Sequence, residues 1–202
     1  SDSVTQIGYP VLLRPSYVLG GRAMRVVNNE TELSNYLDVL SKSDEDGNPF
    51  NSGPLLVDEY LTNAIEIDVD LISDGTDVVI AGILEHLEPA GVHSGDSTAV
   101  LPPYSIEENM LAEIQDKSIK LALSLNVRGL LNIQFAIKEN ELYILEANPR
   151  ASRTMPFVAK VTKNQIIKAG TLIMLAHKIK DILKDTDYLS SKTNKIAVKK
   201  AI

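Results

Sequence analysis

Leu130-Leu-Asn-Ile-Gln-Phe-Ala-Ile-Lys138 and Leu142-Tyr-Ile-Leu-Glu-Ala-Asn-Pro-Arg150, joined by Glu139, Asn140 and Glu141, alternate apolar with polar side chains and read as a β-hairpin. Alternation puts Glu146 and Asn148 on the same face of the second strand, and Pro149 stops further ladder pairing. The favourable register sets Ile133 opposite Ala147, Phe135 opposite Leu145 and Ile137 opposite Tyr143 on an apolar face. The other face then pairs Asn132 with Asn148 and Gln134 with Glu146. A one-residue slip would mix polar and apolar groups on both faces, which is costly wherever one face is buried. One end of the hairpin therefore gathers a carboxylate and several amide oxygens, hard ligands suited to Mg2+. Arg150 follows, with a planar fork for phosphate or carboxylate. A loop-capping strand end would explain two such residues; four on one face favour a metal–phosphate site.

A third alternating run, Ile65 to Leu71, turns at Asp74-Gly75 into Val78–Ile83. Glu66, Asp68 and Asp70 share a face there. For Asp68 and Asp70 the expectation is a solvated sheet surface, whereas Glu66, at the strand entry, can accept a ribose hydroxyl.

Working outward, Tyr9–Pro15 and Arg22–Val27 read as short strands around the loop Ser16–Gly21. The Gly20-Gly21 pair has no Gly-Lys-Ser/Thr after it and is not a P-loop; taken alone it is a plain turn. Arg14, in an apolar strand beside that loop, is better explained by a phosphate contact than by snorkelling. Asn29 with Glu32 starts a helix running to about Leu40, and residues 41–54 form a polar connection and hinge. Ser105 with Glu108 caps the longest helix, with Met110, Ile114, Leu121 and Leu125 on its apolar stripe. A last helix covers about Gln165 to Ile179, and residues 180–202 read as a polar tail without a closing element. The segment Glu85–Pro103, rich in Gly, Ser and Asp, is a loop whose composition alone is ordinary turn chemistry. This order of elements is α+β: a small strand–helix lobe, residues 1–57, and a mostly antiparallel sheet with helices, residues 58–202.

The 202 residues, 44% hydrophobic, can bury a sizeable core. No stretch is long and apolar enough to span a membrane, and there is no signal-peptide pattern. The absence of cysteine excludes disulfides and thiolate chemistry and is compatible with a reducing cytoplasm, the expected location. A net charge of −7 argues against nonspecific nucleic-acid binding. His86, His93 and His177 lack zinc-like spacing.

Taken in order along the chain, several segments resemble an ATP-grasp enzyme, specifically the large chain of carbamoyl-phosphate synthase. They are Arg14-Pro-Ser-Tyr-Val-Leu-Gly-Gly-Arg-Ala-Met24, Ala90-Gly-Val-His-Ser-Gly-Asp-Ser97, Leu101-Pro-Pro-Tyr104, Val127-Arg-Gly-Leu-Leu-Asn-Ile-Gln-Phe-Ala136 and Glu146-Ala-Asn-Pro-Arg-Ala-Ser-Arg-Thr154. That large chain has two similar ATP-grasp halves, and Tyr17–Met24, His93-Ser-Gly-Asp96 and Ser152–Phe157 are similar to the carbamate-phosphorylating one. The resemblance implies ATP-dependent phosphorylation of carbamate to carbamoyl phosphate, serving arginine and pyrimidine biosynthesis. It implies ATP with Mg2+, or Mn2+ as substitute. The implied partners are the rest of the large chain and a glutamine amidotransferase small subunit.

By position, Arg14 would contact nucleotide phosphate, and Gly20 with Gly21 would form the loop covering it. Glu59, where the family more often has His, would lie with Leu61 and Glu66 at the hinge and ribose end. Gly91, Val92, His93 and Ser94 would line the nucleotide site; Gln134, Glu146 and Asn148 would hold the metal. Arg150 and Arg153 would stabilise the transferring phosphoryl group or orient the acid substrate. The chain is shorter than a family large chain and is expected to be an excised piece, inactive or weakly active when isolated. The bicarbonate-phosphorylating half, another ATP-grasp ligase such as a biotin-dependent carboxylase, and a nucleotide-binding but inactive module remain as alternatives.

Overall fold

The computed structural model describes residues 2–16, 24–41, 54–88, 90, 96–182 and 196–200. Its strands are β1 (Val11–Pro15), β2 (Arg25–Val27), β3 (Leu55–Glu59), β4 (Ile65–Asp74), β5 (Val78–His86), β6 (Ala99–Leu101), β7 (Arg128–Lys138), β8 (Glu141–Asn148) and β9 (Ala197–Lys199). Its helices are α1 (Asp2–Ile7), α2 (Glu30–Ser41), α3 (Glu108–Ser124), α4 (Met155–Thr162), α5 (Ile166–Met174) and α6 (Ile179–Ile182). They divide into two compact units, Ser1–Leu61 and Thr62–Ile202. A boundary after residue 57 would cut β3, which pairs with β1 as far as Val11 opposite Glu59.

The first unit is an antiparallel sheet in the order β2-β1-β3. Val11, Leu13 and Val27 bury one sheet face with Leu33 and Tyr36 of α2. Asn29 caps α2 by accepting the Glu32 backbone N–H at 3.0 Å. Glu32 reaches back one residue further than the usual reciprocal contact, accepting the Asn28 N–H at 2.9 Å.

The second unit is a sheet in the order β8-β7-β4-β5-β6-β9, with every observed pairing antiparallel. β4 and β7 carry apolar side chains on both faces over part of their length because helices cover both. Ile67, Val69, Leu71, Leu131, Ile133 and Phe135 pack with Met110 and Ile114 of α3. On the opposite face, Ile72 and Leu84 pack with Val158 of α4 and Ile166, Ala169 and Ile173 of α5. The helices of that second layer cover the sheet beside Ile72, while Asp68 and Asp70 occupy the same face further along β4.

Several expectations are corrected. The α3 stripe continues through Ser118 and Ala122, and Leu125 is exposed at the C-cap. The Ser118 hydroxyl is satisfied by donating to the Ile114 carbonyl at 2.6 Å, so a polar residue fits a buried helix face. Ser105 does not cap α3: its backbone N–H donates to Glu85 at 3.0 Å and its hydroxyl also bonds Glu85. The helix expected over 165–179 is broken, because Ala176 adopts a left-handed conformation (φ 70°). His177 N–H closes onto the Leu172 carbonyl at 3.0 Å, a Schellman-type stop without its usual glycine. The C-terminal segment does contribute an element, β9, which pairs Val198 with Val100.

The hairpin register is also split. Asn132, Ile133 and Gln134 face Asn148, Ala147 and Glu146 as expected, but Phe135 faces Ile144 and Ile137 faces Leu142. Leu145 is the extra residue of a β-bulge. Glu139 (φ 52°) and Asn140 (φ 65°) form a two-residue turn with both central φ positive, closed by Lys138 opposite Glu141. Such a type I′ turn demands one register and the polar face demands the next; the bulge reconciles them.

Candidate functional site

Beyond the bulge, β8 turns Glu146 and Asn148 onto the face that carries Gln134 and Asn132 on β7. The antiparallel β4–β7 register continues the same rows, with Asp68 opposite Gln134 and Asp70 opposite Asn132. Asn148 Nδ2 donates to Glu146 Oε1 at 2.8 Å. That bond leaves Glu146 Oε2 and Asn148 Oδ1 as acceptors, with the Gln134 amide across the ladder. Glu146 is exposed, and Gln134 and Asn148 are half-buried, so an ion can reach them. Among the described residues no cluster of three His, Cys, Asp or Glu side chains could hold a metal. The donor set is one carboxylate with two amide oxygens, which fits a hard divalent cation that keeps part of its water shell.

Beside this row, on the same face of β4 and at the end of β5, lies a buried polar cluster. Asp68 and Asp70 are 1% and 0% exposed, which overturns the expected solvated face. His86, at the end of β5, is 5% exposed and donates through Nε2 to Asp68 Oδ2 at 2.9 Å; its Nδ1 lies 3.4 Å from Glu66 Oε2. Burial opposes a charge on this imidazole, but hydrogen bonds to Asp68 and Glu66 and their negative charge outweigh it, and its pKa is raised to about 9. Glu66 is thus held from behind by a cation. Asp70 accepts Asn132 Nδ2 at 3.0 Å and the Thr154 hydroxyl at 2.7 Å. Burial pushes the Asp70 carboxyl up, against the stabilising hydrogen bonds from Thr154, Ser152 and Asn132. Asn132 Nδ2 also reaches Asp68 Oδ1 at 3.3 Å, so Asn132 links the two carboxylates. No buried side-chain polar atom lacks a partner among the described residues.

After β8 the chain turns sharply, with Arg150 N–H donating to the Asn148 carbonyl at 2.7 Å. Arg150 and Arg153 are exposed in the short segment between β8 and α4, and Arg150 Nη1 bonds the Ala151 carbonyl at 3.2 Å. α4 begins where the Ser152 hydroxyl accepts the Met155 N–H at 2.8 Å, with Pro156 in its first turn.

Gln134, Glu146 and Asn148 therefore meet on one face, Glu66 lies further along that face on β4, and the two arginines follow directly. Arg14, Glu59 and Leu61 belong to the first unit. Arg14 Nε there pairs with Asp58 Oδ2 at 2.6 Å across β1 and β3. Gly20, Gly21, Gly91, Val92, His93 and Ser94 lie outside the described residues. Next to the last four, Glu88 accepts the Thr98 N–H and, at 2.8 Å, the Ser97 hydroxyl; these bonds lower its pKa to about 2. The roles of His86 and Thr154 were missed. Their partners Asp68 and Asp70 are 18 and 84 residues away; the antiparallel β4–β5 register, which sets Ile67 opposite Glu85, could have signalled His86, whereas no local pattern signals Thr154.

The family model described as "Carbamoyl-phosphate synthase L chain, ATP binding domain" matches residues 1–182. A carbamoyl phosphate synthase large chain of Campylobacter jejuni is 52% identical over 98% of this chain and 19% of that relative. A large chain, C-terminal section, of Aquifex aeolicus is 49% identical over 88% of this chain and 32% of its own length. The chain thus spans about a fifth of the full-length large chain and about a third of the C-terminal section. Among solved structures, a biotin carboxylase–beta-gamma-ATP complex from Campylobacter jejuni superposes with a TM-score of 0.76 at 21% identity, covering 96% of this chain and 42% of that one. The biotin carboxylase domain of Hydrogenobacter thermophilus 2-oxoglutarate carboxylase, a complex with MgADP, ADP and bicarbonate, gives 0.74 at 20% identity, covering 98% and 42%. At those identities the likeness is one of fold, the ATP-grasp fold.

Proposed function

The chain belongs to the carbamoyl-phosphate synthase large-chain ATP-binding family, and on that premise we propose that it carries the metal–nucleotide site at which carbamate is phosphorylated to carbamoyl phosphate. One observation carries the reading: Gln134, Glu146 and Asn148 converge on a single face, immediately before two exposed arginines. Gln134, Glu146 and Asn148 would hold Mg2+, or Mn2+ in its place. When bound, the ion supplies neutralisation of charge on the nucleotide phosphates. Arg150 and Arg153 bind the oxygens of the moving phosphoryl group or the acid substrate and hold them in line. Glu66, braced by His86, accepts a ribose hydroxyl. The family resemblance assigns phosphate contacts to Arg14, Gly20 and Gly21, hinge-end contacts to Glu59 and Leu61, and nucleotide-lining positions to Gly91, Val92, His93 and Ser94. A carbamate oxygen forms the new bond to the γ-phosphorus as the bond to ADP breaks. Such transfer rests on placement and charge neutralisation more than on covalent help from the protein.

The sequence contexts Tyr17–Met24 and His93–Asp96, with the match to C-terminal sections, support carbamate over bicarbonate as the substrate. In a full-length large chain of which this segment is part, Glu146→Ala abolishes ATP formation from carbamoyl phosphate and MgADP and spares bicarbonate-dependent ATP hydrolysis. Loss of the second activity with retention of the first would assign the segment to bicarbonate instead. The rest of the large chain and a glutamine amidotransferase subunit complete the proposed assembly.

A further inference from the structure

The carboxylate of Asp70 is fully buried on β4, yet no charged side chain pairs with it among the described residues. Its two oxygens are divided. Oδ1 accepts Asn132 Nδ2 at 3.0 Å and Oδ2 accepts the Thr154 hydroxyl at 2.7 Å. Thr154 is itself buried and ends the arginine segment that begins after Asn148. From Thr154 the chain of bonds runs on to the Ser152 hydroxyl at 2.9 Å, and Ser152 accepts the first N–H of α4 at 2.8 Å. On the other side, Asn132 sits opposite Asn148 in the ladder. One carboxylate thus ties together the strand facing an expected metal ligand and the far end of the segment bearing Arg150 and Arg153. Burying a carboxylate without a cation is costly, and an apolar side chain would pack this sheet face at lower cost. The observed residue gives up that stability and gains directed hydrogen bonds, one of which, to Thr154, leads into the arginine-bearing loop.

We infer that Asp70 is a positioning residue that holds the Arg150–Arg153 segment against the sheet through the Thr154 hydroxyl. The inference rests on the reading of those arginines as phosphoryl-binding groups. Without the tether, the segment remains fixed at Asn148 by the ladder and at α4 by helix packing, but its centre is free to shift. Displacement of a charge-neutralising group lowers the rate of transfer more than ground-state affinity.

The test uses the full-length large chain and follows ATP formation from carbamoyl phosphate and MgADP. Thr154→Val keeps the volume and removes the donor. Its kcat falls about ten- to a hundredfold while KM for MgADP stays within about twofold, and Thr154→Ser restores the rate. Asp70→Ala combined with Thr154→Val is no slower than Asp70→Ala alone, because both act through one bond. A Thr154→Val rate within about twofold of the parent overturns the inference, as does a Thr154→Ser variant as slow as Thr154→Val, or effects that multiply in the double variant. Arg150→Ala and Arg153→Ala separate the two levels. If both keep the parent rate, the phosphoryl reading fails; if they are slow and Thr154→Val is not, only the tether fails.

Discussion

Raising the pH from 6.5 through 9 destabilises the fold, because the proton His86 holds between Asp68 and Glu66 is lost first by the unfolded chain. The ordinary imidazole value of 6.5 describes the unfolded chain, and the folded value is about 9. Between the two, the folded state keeps a proton that the unfolded state has lost, so stability falls as pH rises. Below 6.5 the contribution is fully present; above about 9 it is gone. A shift of this size corresponds to about 3 kcal/mol, lost at up to about 1.4 kcal/mol per pH unit. Urea unfolding of the chain at pH steps through this window measures it, beside His86→Gln, whose curve lacks this slope. Because removing the cation leaves two carboxylates facing each other, that variant is also destabilised by about 3–5 kcal/mol. An imidazole resonance followed by NMR in the parent chain reads the same proton directly. Stability that is flat or rises between pH 7 and 9, or a slope shared with His86→Gln, refutes a charged His86 at the centre of this cluster.

Three further outcomes follow from named contacts. Gly170→Ala adds a methyl 2.6 Å from Leu130 Cγ; the overpacking, about 1–3 kcal/mol, exceeds the roughly 1 kcal/mol of helix propensity gained, so the thermal midpoint falls. Glu139→Gly relieves a non-glycine residue held at φ 52° in the hairpin turn and raises stability by up to about 1 kcal/mol in urea melts. Gln134→Ala, which leaves the apolar face of the hairpin intact, weakens Mg2+-dependent nucleotide binding with little change in unfolding midpoint, as calorimetry and thermal melts would show.

The hairpin was legible because its alternation allows only one polar face, and that face holds Gln134, Glu146 and Asn148. The bulge at Leu145 was not, since an apolar residue satisfies either register and the turn carries neither Asn-Gly nor Asp-Gly. Asp68 and Asp70 read as solvated because single-strand alternation cannot show what covers a face. His86, from the paired strand β5, and Thr154, 84 residues from Asp70, cover it. α4 had signals in Ser152 and Pro156 that were read only as part of a motif. β9 is three residues long and exists through pairing with β6, information that no local pattern carries.

The proposed metal–nucleotide site is built on Gln134, Glu146 and Asn148. A calorimetric titration of this chain with MgADP, beside Glu146→Ala, tests it most directly. Saturable binding by the parent chain, lost in the variant and lost without Mg2+, is the predicted result. Binding of equal strength in Glu146→Ala, or none by the parent chain, would contradict it.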